Sequence, residues 1–318
     1  MNNINNKDKE VYGTSTYNLF SVCCLFDMLL PANRRPLMFR SFLGVFAALL
    51  FLSVMAFLTI PEILVRRVWN HRNQADALVR RQTETNWHQT WAGLYRRMFK
   101  SILGLRMHRQ VRELTYSDRY ILVLNHQAAL DHLEGAGAAE ELDLKDVRWV
   151  VKEAMRSAPG LGNSLERAGF AFVSRNGDVR DKERIRQMAQ LARADGASVA
   201  LYPEGTRFNG IPRQGARYTR LRDPKAGGLE VLCEELPEYR ILVVCIDWGD
   251  LRDARTMWDG AAFVGRRGRV IIWEEENPGK EGVRDLLTDI WDEMERILTQ
   301  NASHLALVDP RYQQTAES

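Results

Sequence analysis

A histidine and an aspartate lie close together in the segment ILVLNHQAALDH, residues 121–132. His126 follows an apolar run, and Asp131 comes five positions later. A carboxylate that accepts a hydrogen bond from one imidazole nitrogen leaves the other nitrogen free to take a proton, as in a general base. The same two residue types also occur in surface pairs and at helix N-termini. The spacing therefore indicates a candidate catalytic dyad, and we assign no role to His132.

Two further apolar runs end in loops that carry arginine. GFAFVSR ends on Arg175, and LYPEGTR contains Glu204, Gly205, Thr206 and Arg207. The planar guanidinium group suits a phosphate, which it binds through two parallel N–H donors. A third run, ILVVCIDW, closes a later strand. We expect these loops to converge on one cleft that binds a phosphate.

The elements that must position these loops are short, continuously apolar segments. Strands of this composition are buried on both faces of a sheet. The runs that predict strands are RYILVL, VRWVVK, FAFVS, SVALY, ILVVCI and RVIIW. Helical stretches lie between them, among them EGAGAAEEL, DKERIRQMAQLARA and AGGLEVLCEEL. This alternation predicts an α/β domain with a mostly parallel sheet flanked by helices. Ligands of such sheets gather at the carboxyl ends of the strands, where the motifs lie.

The sequence does not indicate a covalent nucleophile or a metal site. It contains no GxSxG motif, and its four cysteines show neither a CxxC spacing nor a pairing with histidines at metal-ligand intervals. We expect neither a zinc site nor a disulfide framework.

Residues 41–60 form an uncharged apolar run that is long enough, as a helix, to cross ~30 Å of hydrocarbon. About forty residues precede the run, so a cleaved signal peptide is not favoured. We predict a retained membrane helix. Arginines flank it on both sides in nearly equal number, which leaves its orientation open and also permits a re-entrant segment.

The next segment, residues 61–112, is strongly basic, with 11 Lys and Arg against 3 Asp and Glu, whereas residues 113–318 carry 28 against 35. Trp87 and Trp91 belong to an apolar stripe at helical spacing in this segment. Beside a membrane helix, this pattern predicts amphipathic helices in the membrane interface with their rings at headgroup depth. The alternative is a helix that packs on a protein core. The neighbouring membrane helix and the lack of a nucleic-acid-binding motif argue against nucleic acid as a partner.

The segments NHQAALD, GFAFVSR and YPEGTR, in this order, resemble the glycerolipid acyltransferase family typified by 1-acylglycerol-3-phosphate acyltransferase. The resemblance covers roughly residues 113–250, and His126 and Asp131 match the hallmark of the family. It implies transfer of a fatty acyl group from acyl-CoA or acyl-carrier protein to the free hydroxyl of a lysophospholipid. It implies no cofactor beyond that donor substrate. By analogy, His126 removes the hydroxyl proton and Asp131 orients the ring.

The resemblance also implies roles for the loop residues. Arg175 and Arg207 would hold the acceptor phosphate, while the residues that shape the loop or add a phosphate contact would be Glu204, Gly205, Thr206 and Lys225. Lys225 lies in RLRDPKAGG, similar to a branch that also acts on lysophospholipids other than lysophosphatidic acid. A carboxylate does not bind phosphate directly, so Glu204 is equally well explained as the partner of a structural arginine.

These inferences divide the chain into five parts. They are an N-terminal tail at 1–40, the membrane helix at 41–60, basic interfacial helices at 61–112, an acyltransferase domain at 113–303, and a C-terminal tail at 304–318. We expect a single-pass or monotopic membrane protein whose catalytic domain faces the cytoplasm. A glycerol-3-phosphate acyltransferase, a transacylase that takes its acyl chain from a phospholipid, and a membrane scaffold without turnover remain as alternatives. NHQAALDH has two alanines at positions where the family often has other residues, which leaves the acceptor open.

Overall fold

The computed structural model describes most of the chain, namely residues 35–72, 76–112, 114–158, 161–175, 178–212, 214–249 and 257–308. The predicted tail residues 1–34 and 309–318 lie outside the described residues.

The chain begins with helices. Helix α1 (Arg35–Val54) continues through one π-helical turn (Met55–Thr59) into α2 (Ile60–Arg72), and α3 follows at Ala77–Leu103. The side chain of Asp76 caps α3 by accepting the Leu78 N–H at 2.7 Å. Gly104 ends α3 in the left-handed conformation, with φ 64°.

The strands and the remaining helices alternate along the chain. The strands are β1 (Arg106–Val111), β2 (Tyr120–Leu124), β3 (Val147–Lys152), β4 (Ala171–Val173), β5 (Ser198–Leu201), β6 (Arg240–Asp247) and β7 (Arg267–Glu275). The helices are α4 (Asp131–Glu141), α5 (Leu161–Arg167), α6 (Val179–Asp195), α7 (Ala226–Glu235) and α8 (Gly279–Val308). Two 3-10 segments occupy Glu153–Ser157 and Met257–Phe263.

The seven strands form one sheet in the order β1-β7-β6-β2-β5-β3-β4. Five strands, from β6 to β4 in that order, are mutually parallel, and β7 pairs with β6 in the antiparallel direction. The chain leaves β2 for β3 across β5 and later returns to β6 on the other side of β2. The carboxyl ends of β2, β5 and β6 are therefore neighbours where the chain changes direction, which is where ligands of such sheets bind. The predicted mostly parallel α/β fold is confirmed.

The sheet is buried on both faces, which explains the continuous apolar runs. Ile121 and Val123 of β2 point into one hydrophobic cluster. Tyr120, Leu122 and Leu124 point into a second cluster on the opposite face. Helices α6, α7 and α8 supply the first cluster, and α3 and α4 contribute to the second.

The prediction for residues 61–112 is wrong in two respects. First, Arg106–Val111 form strand β1, which pairs with β7, so the sheet begins before residue 113. Second, α3 packs on the domain. Trp87 is only 3% exposed, so its ring cannot lie among lipid headgroups. Arg81 forms an ion pair with Asp195 of α6. The alternative of a core-packing helix is the one that the structure supports. The boundary at 304 also shifts, because α8 extends to Val308.

The apolar N-terminal helix packs along the side of the domain. Gly44 lies so close to the 3-10 segment at Met257–Phe263 that a β-carbon on Gly260 would lie 2.8 Å from its Cα. Phe51 packs its ring against Tyr95, with the centroids 4.6 Å apart. The opposite side of the helix exposes large apolar side chains, namely Phe42, Val45, Phe46, Leu49, Leu52, Phe57, Leu64, Val65 and Val68. Within the described part of the chain, one stretch, Arg40–Val65, is long and apolar enough to cross a membrane.

Candidate active site

The His126–Asp131 pair lies at the carboxyl end of β2. His126 follows the strand by two residues, and Asp131 begins α4. Nδ1 of His126 lies 2.9 Å from Oδ2 of Asp131. The histidine side chain is 14% exposed and that of the aspartate is 0% exposed. Because Nδ1 faces the carboxylate, Nε2 is the ring nitrogen available to accept a proton.

Asp131 is surrounded by hydrogen-bond donors. Its Oδ2 accepts the backbone N–H groups of Gln127 at 2.6 Å and Ala128 at 2.7 Å, in addition to the contact with His126. Its Oδ1 accepts the indole N–H of Trp248 at 2.6 Å. A carboxylate that accepts several donors in a buried site keeps its orientation. Ala128 takes part through its backbone, so an alanine at this position does not remove the contact.

The loop after β5 clamps the backbone of His126 from both sides. Glu204 Oε1 accepts the His126 N–H at 2.6 Å, and the Phe208 N–H donates to the His126 carbonyl at 2.7 Å. Glu204 Oε2 accepts the Arg222 N–H at 3.0 Å. Burial raises the pKa of Glu204 to about 8, although these backbone donors favour the ionised form. Glu204 is 2% exposed and serves as a brace between loops, so the structure does not place its carboxylate as a substrate ligand.

Aromatic rings line one side of the dyad. The ring of Tyr202 stacks on His126 at a centroid distance of 4.4 Å and an interplanar angle of 26°. Trp149 stacks on the far side of Tyr202 at 5.8 Å, and His132 meets Trp149 edge-on at 4.5 Å. The stack restrains the imidazole plane. His132 belongs to this aromatic group. Its ring makes no direct contact with the Asp131 carboxylate in the described part of the chain.

Arg175 and Arg207 form a pair of neighbouring cations. The backbone N–H of Arg175 donates to Asp181 at 2.9 Å, which fixes this residue in the left-handed conformation at φ 65°. Burial, and then the charge of Arg207, lower the pKa of Arg175. Among the described residues, no carboxylate lies at ion-pair distance from the Arg175 guanidinium. A guanidinium that lies near a second cation and has no carboxylate at ion-pair distance can bind an anion.

The remaining predicted residues surround a neighbouring cavity. Gly205 has φ 68°, a conformation that favours glycine, and it allows the LYPEGTR loop to turn after β5. The Lys225 Nζ would lie 3.7 Å from a β-carbon at Gly205. Thr206 and Lys225 line a cavity of about 300 Å³ together with Glu204 and Arg222. Thr206, within the LYPEGTR loop, and Lys225, beside it, thus line a cavity that Arg175 and Arg207 do not line.

Two residues of the site carry no recognisable sequence signal for their roles. Asn125 is 0% exposed, and its side-chain amide donates to the Ile246 carbonyl at 2.9 Å and accepts the Ile246 N–H at 2.7 Å. The amide extends the β2–β6 pairing beyond the end of β2 and so sets the exit of the chain toward His126. Trp248 comes directly after β6 and reaches Asp131. Their positions at strand ends are the only signal that could have drawn attention to them.

The fold and the site define an α/β protein with a histidine–aspartate dyad and a cationic pair at the carboxyl ends of its parallel strands. The crystal structure of the 1-acyl-sn-glycerophosphate (LPA) acyltransferase PlsC from Thermotoga maritima is similar, with a TM-score of 0.54 and 16% sequence identity. The match covers 83% of this chain and 97% of that one. At this identity the likeness supports the fold.

Residues 105–246 match the family model described as Acyltransferase. No curated protein matches the sequence significantly. The family model and the structural likeness support the acyltransferase family that the motifs indicated.

Proposed function

We propose that this protein is a membrane-bound enzyme that transfers a fatty acyl group from acyl-CoA or acyl-carrier protein to the free hydroxyl of lysophosphatidic acid or another lysophospholipid. The observation that carries the proposal is the dyad: His126 has Nδ1 held 2.9 Å from a buried carboxylate, which leaves Nε2 to act as a base. The similar protein from Thermotoga maritima is an LPA acyltransferase, which supports the choice of acceptor.

In the proposed reaction, Nε2 of His126 takes the proton from the acceptor hydroxyl as its oxygen attacks the thioester carbonyl. Asp131 stabilises the resulting imidazolium. The tetrahedral intermediate then breaks its C–S bond, and the proton on His126 passes to the departing thiolate. The new ester and a free thiol are the products, so no covalent enzyme intermediate and no cofactor are required.

The cationic pair Arg175 and Arg207 is proposed to hold the acceptor phosphate. The shortage of counter-charge near Arg175 supports this assignment, because a phosphate dianion would relieve the repulsion between the two guanidinium groups. Lys225 and Thr206 line the adjacent cavity and are proposed to contact a further part of the substrate.

A monotopic arrangement with the domain on the cytoplasmic face is proposed, and the packing of the N-terminal helix supports its monotopic part. It contacts the domain from Gly44 to Ile63, which is 2% exposed, and Trp91 donates its indole N–H to Glu62 at 2.9 Å. A helix that crossed ~30 Å of hydrocarbon would have to separate from the domain over that length. Its exposed apolar side is proposed to enter one leaflet, which brings the dyad to the depth of a lysophospholipid hydroxyl.

The test uses the full chain purified in detergent, with release of free thiol from acyl-CoA measured in the presence and absence of lysophosphatidic acid. We expect acceptor-dependent release that falls by ~10²–10⁴-fold in His126→Ala. His108→Ala, on the exposed side of β1, is the matched control and should retain full activity. Activity of His126→Ala within a few-fold of wild type would refute the mechanism.

The same assay separates the alternatives. A preference for glycerol 3-phosphate over lysophosphatidic acid would favour a glycerol-3-phosphate acyltransferase. Acyl transfer from a phospholipid without any thioester would favour a transacylase. The absence of turnover with every donor would favour a membrane scaffold.

A further inference from the structure

Trp248 contacts the candidate base indirectly, through the carboxylate of Asp131. The residue follows β6 and is 0% exposed. Its indole N–H donates to Oδ1 of Asp131 at 2.6 Å, whereas His126 and two backbone donors all contact Oδ2. Trp248 is therefore the donor that occupies the second oxygen.

The surroundings of Trp248 hold its ring in place. Phe263 packs edge-on against it, with centroids 5.1 Å apart and planes at 81°. The Trp248 carbonyl accepts a hydrogen bond from Arg266 at 2.9 Å. Both partners belong to the segment that includes the 3-10 turn Met257–Phe263, on which the N-terminal helix packs. The indole therefore has one fixed orientation toward the carboxylate.

We propose that Trp248 is a positioning residue for catalysis, so that the dyad functions as a triad of tryptophan, aspartate and histidine. The proposal rests on the proposed role of His126 as the base. With donors on both oxygens, the carboxylate cannot rotate about its Cβ–Cγ bond, and Oδ2 stays in the plane that the imidazole requires. Without the indole N–H, only the donors on Oδ2 hold the carboxylate against this rotation. The imidazole ring, and with it the direction of Nε2, is then less well fixed.

The indole N–H also affects the charge on the carboxylate. A donor at Oδ1 draws negative charge away from Oδ2. If the donor is removed, Asp131 stabilises the protonated ring of His126 more strongly, so the ring releases its proton only at higher pH. The other titratable groups near the dyad are Tyr202, Glu204, His132 and Arg207. A substitution at position 248 leaves all four of these side chains in place.

The test compares wild type with two forms altered at position 248 in the full chain in detergent. One is Trp248→Phe. The other carries 3-benzothienylalanine, which keeps the shape of the indole but has sulfur in place of the N–H. The control is Trp273→Phe, because Trp273 is also buried, at 5% exposure, and donates its indole N–H to Glu275 at 3.0 Å.

For the sulfur analogue we expect kcat to fall ~10–100-fold while both KM values stay within about two-fold of wild type. The acidic limb of the kcat/KM profile should move up by roughly half to one pH unit. Trp273→Phe should change neither quantity. If the sulfur analogue keeps kcat within two-fold and the limb does not move, Trp248 only fills space and the proposal is wrong, even if Trp248→Phe is impaired.

A measurement without turnover separates this proposal from the proposed function. The ring proton of His126 is assigned in the NMR spectrum by its absence in His126→Ala and is titrated in wild type and in the sulfur analogue. A higher titration midpoint in the analogue supports the coupling, and equal midpoints overturn it. Activity in His126→Ala would instead refute the proposed base while leaving this comparison intact.

Discussion

Replacing Asp131 with asparagine tests how the buried carboxylate orients the base. An amide has one acceptor and one donor group, whereas the site offers donors to both oxygens. In one orientation, the amide oxygen faces His126 and two backbone N–H groups, and its NH2 group opposes the indole N–H of Trp248. In the other, the two backbone N–H groups of Gln127 and Ala128 lose their acceptor.

The count of lost acceptors decides between these orientations. Each buried donor without an acceptor costs ~1–3 kcal/mol, so the first orientation, with one such donor, is favoured over the second, with two, by about that amount. In the first orientation, His126 keeps its proton on Nδ1 and Nε2 stays free. The variant then loses the charge of the carboxylate but not the tautomer. We expect kcat to fall by ~10²-fold, equivalent to about 2.7 kcal/mol, rather than the ~10⁴-fold that accompanies the wrong tautomer.

The assay measures kcat by thiol release and the free energy of unfolding by urea titration followed by far-UV circular dichroism. Asp131→Asn should lose ~1–3 kcal/mol of stability through the opposed indole N–H. In the Trp248→Phe background, which lacks that donor, Asp131→Asn should cost less stability than it does in wild type, whereas kcat should not recover. Asp292→Asn, at an exposed ion pair, is the control. A ~10⁴-fold fall in kcat, with an equal stability cost of Asp131→Asn in the wild-type and Trp248→Phe backgrounds, would refute the orientation argument.

Three further predictions address the phosphate site, the loop brace and the helix. Arg175→Lys keeps the charge but loses the bidentate fork, so the KM for the acceptor should rise ~10-fold while the KM for the donor is constant. The control, Arg193→Lys, should change neither KM. An equal rise in both KM values would point to a disturbed fold. Glu204→Gln replaces the buried acid with a neutral amide that cannot ionise. The pKa of Glu204 rises from 4.5 to about 8 on folding, so its contribution to wild-type stability is present below pH 4.5 and is lost as the pH rises toward 8. The free energy of unfolding of the Gln variant should lack this pH dependence. An unchanged dependence of that free energy on pH would contradict the raised pKa of Glu204. Gly44→Leu places a side chain against the backbone of the 3-10 segment and should lower the unfolding temperature, whereas Phe42→Leu on the exposed side should not.

The central strands could be predicted from the sequence because each is buried on both faces and therefore reads as an unbroken apolar run. Strand β1 has no such signal. Its residues RMHRQV are mostly polar, and all of them are exposed or half-buried at the edge of the sheet. Its pairing with β7 depends on backbone hydrogen bonds to residues about 160 positions away. Periodicity cannot reveal a strand of this kind.

The same limit applies to the site. His126 and Asp131 lie close together in the sequence, so their proximity could be predicted. Trp248 reaches Asp131 from 117 positions away and Asn125 reaches Ile246 from 121, and such contacts are set by the sheet order. The helical spacing of Trp87 correctly indicated an apolar face, but spacing does not distinguish a face that protein covers from one that lipid covers.

The contact between Gly44 and the 3-10 segment at Met257–Phe263 constrains how the protein is made. The two sides of this contact are separated by roughly 200 residues. At about 5–20 residues per second, a ribosome needs roughly 10–40 seconds to synthesise the second side after the first has emerged. During that interval the side of the helix around Gly44 lacks its protein partner. A nascent helix of this composition has to be received by a bilayer or a chaperone. If the bilayer receives it, as the proposed membrane binding requires, delivery to the membrane precedes completion of the catalytic domain. A ribosome that stalls before residue 257 then leaves a fragment that lacks the second side of this contact.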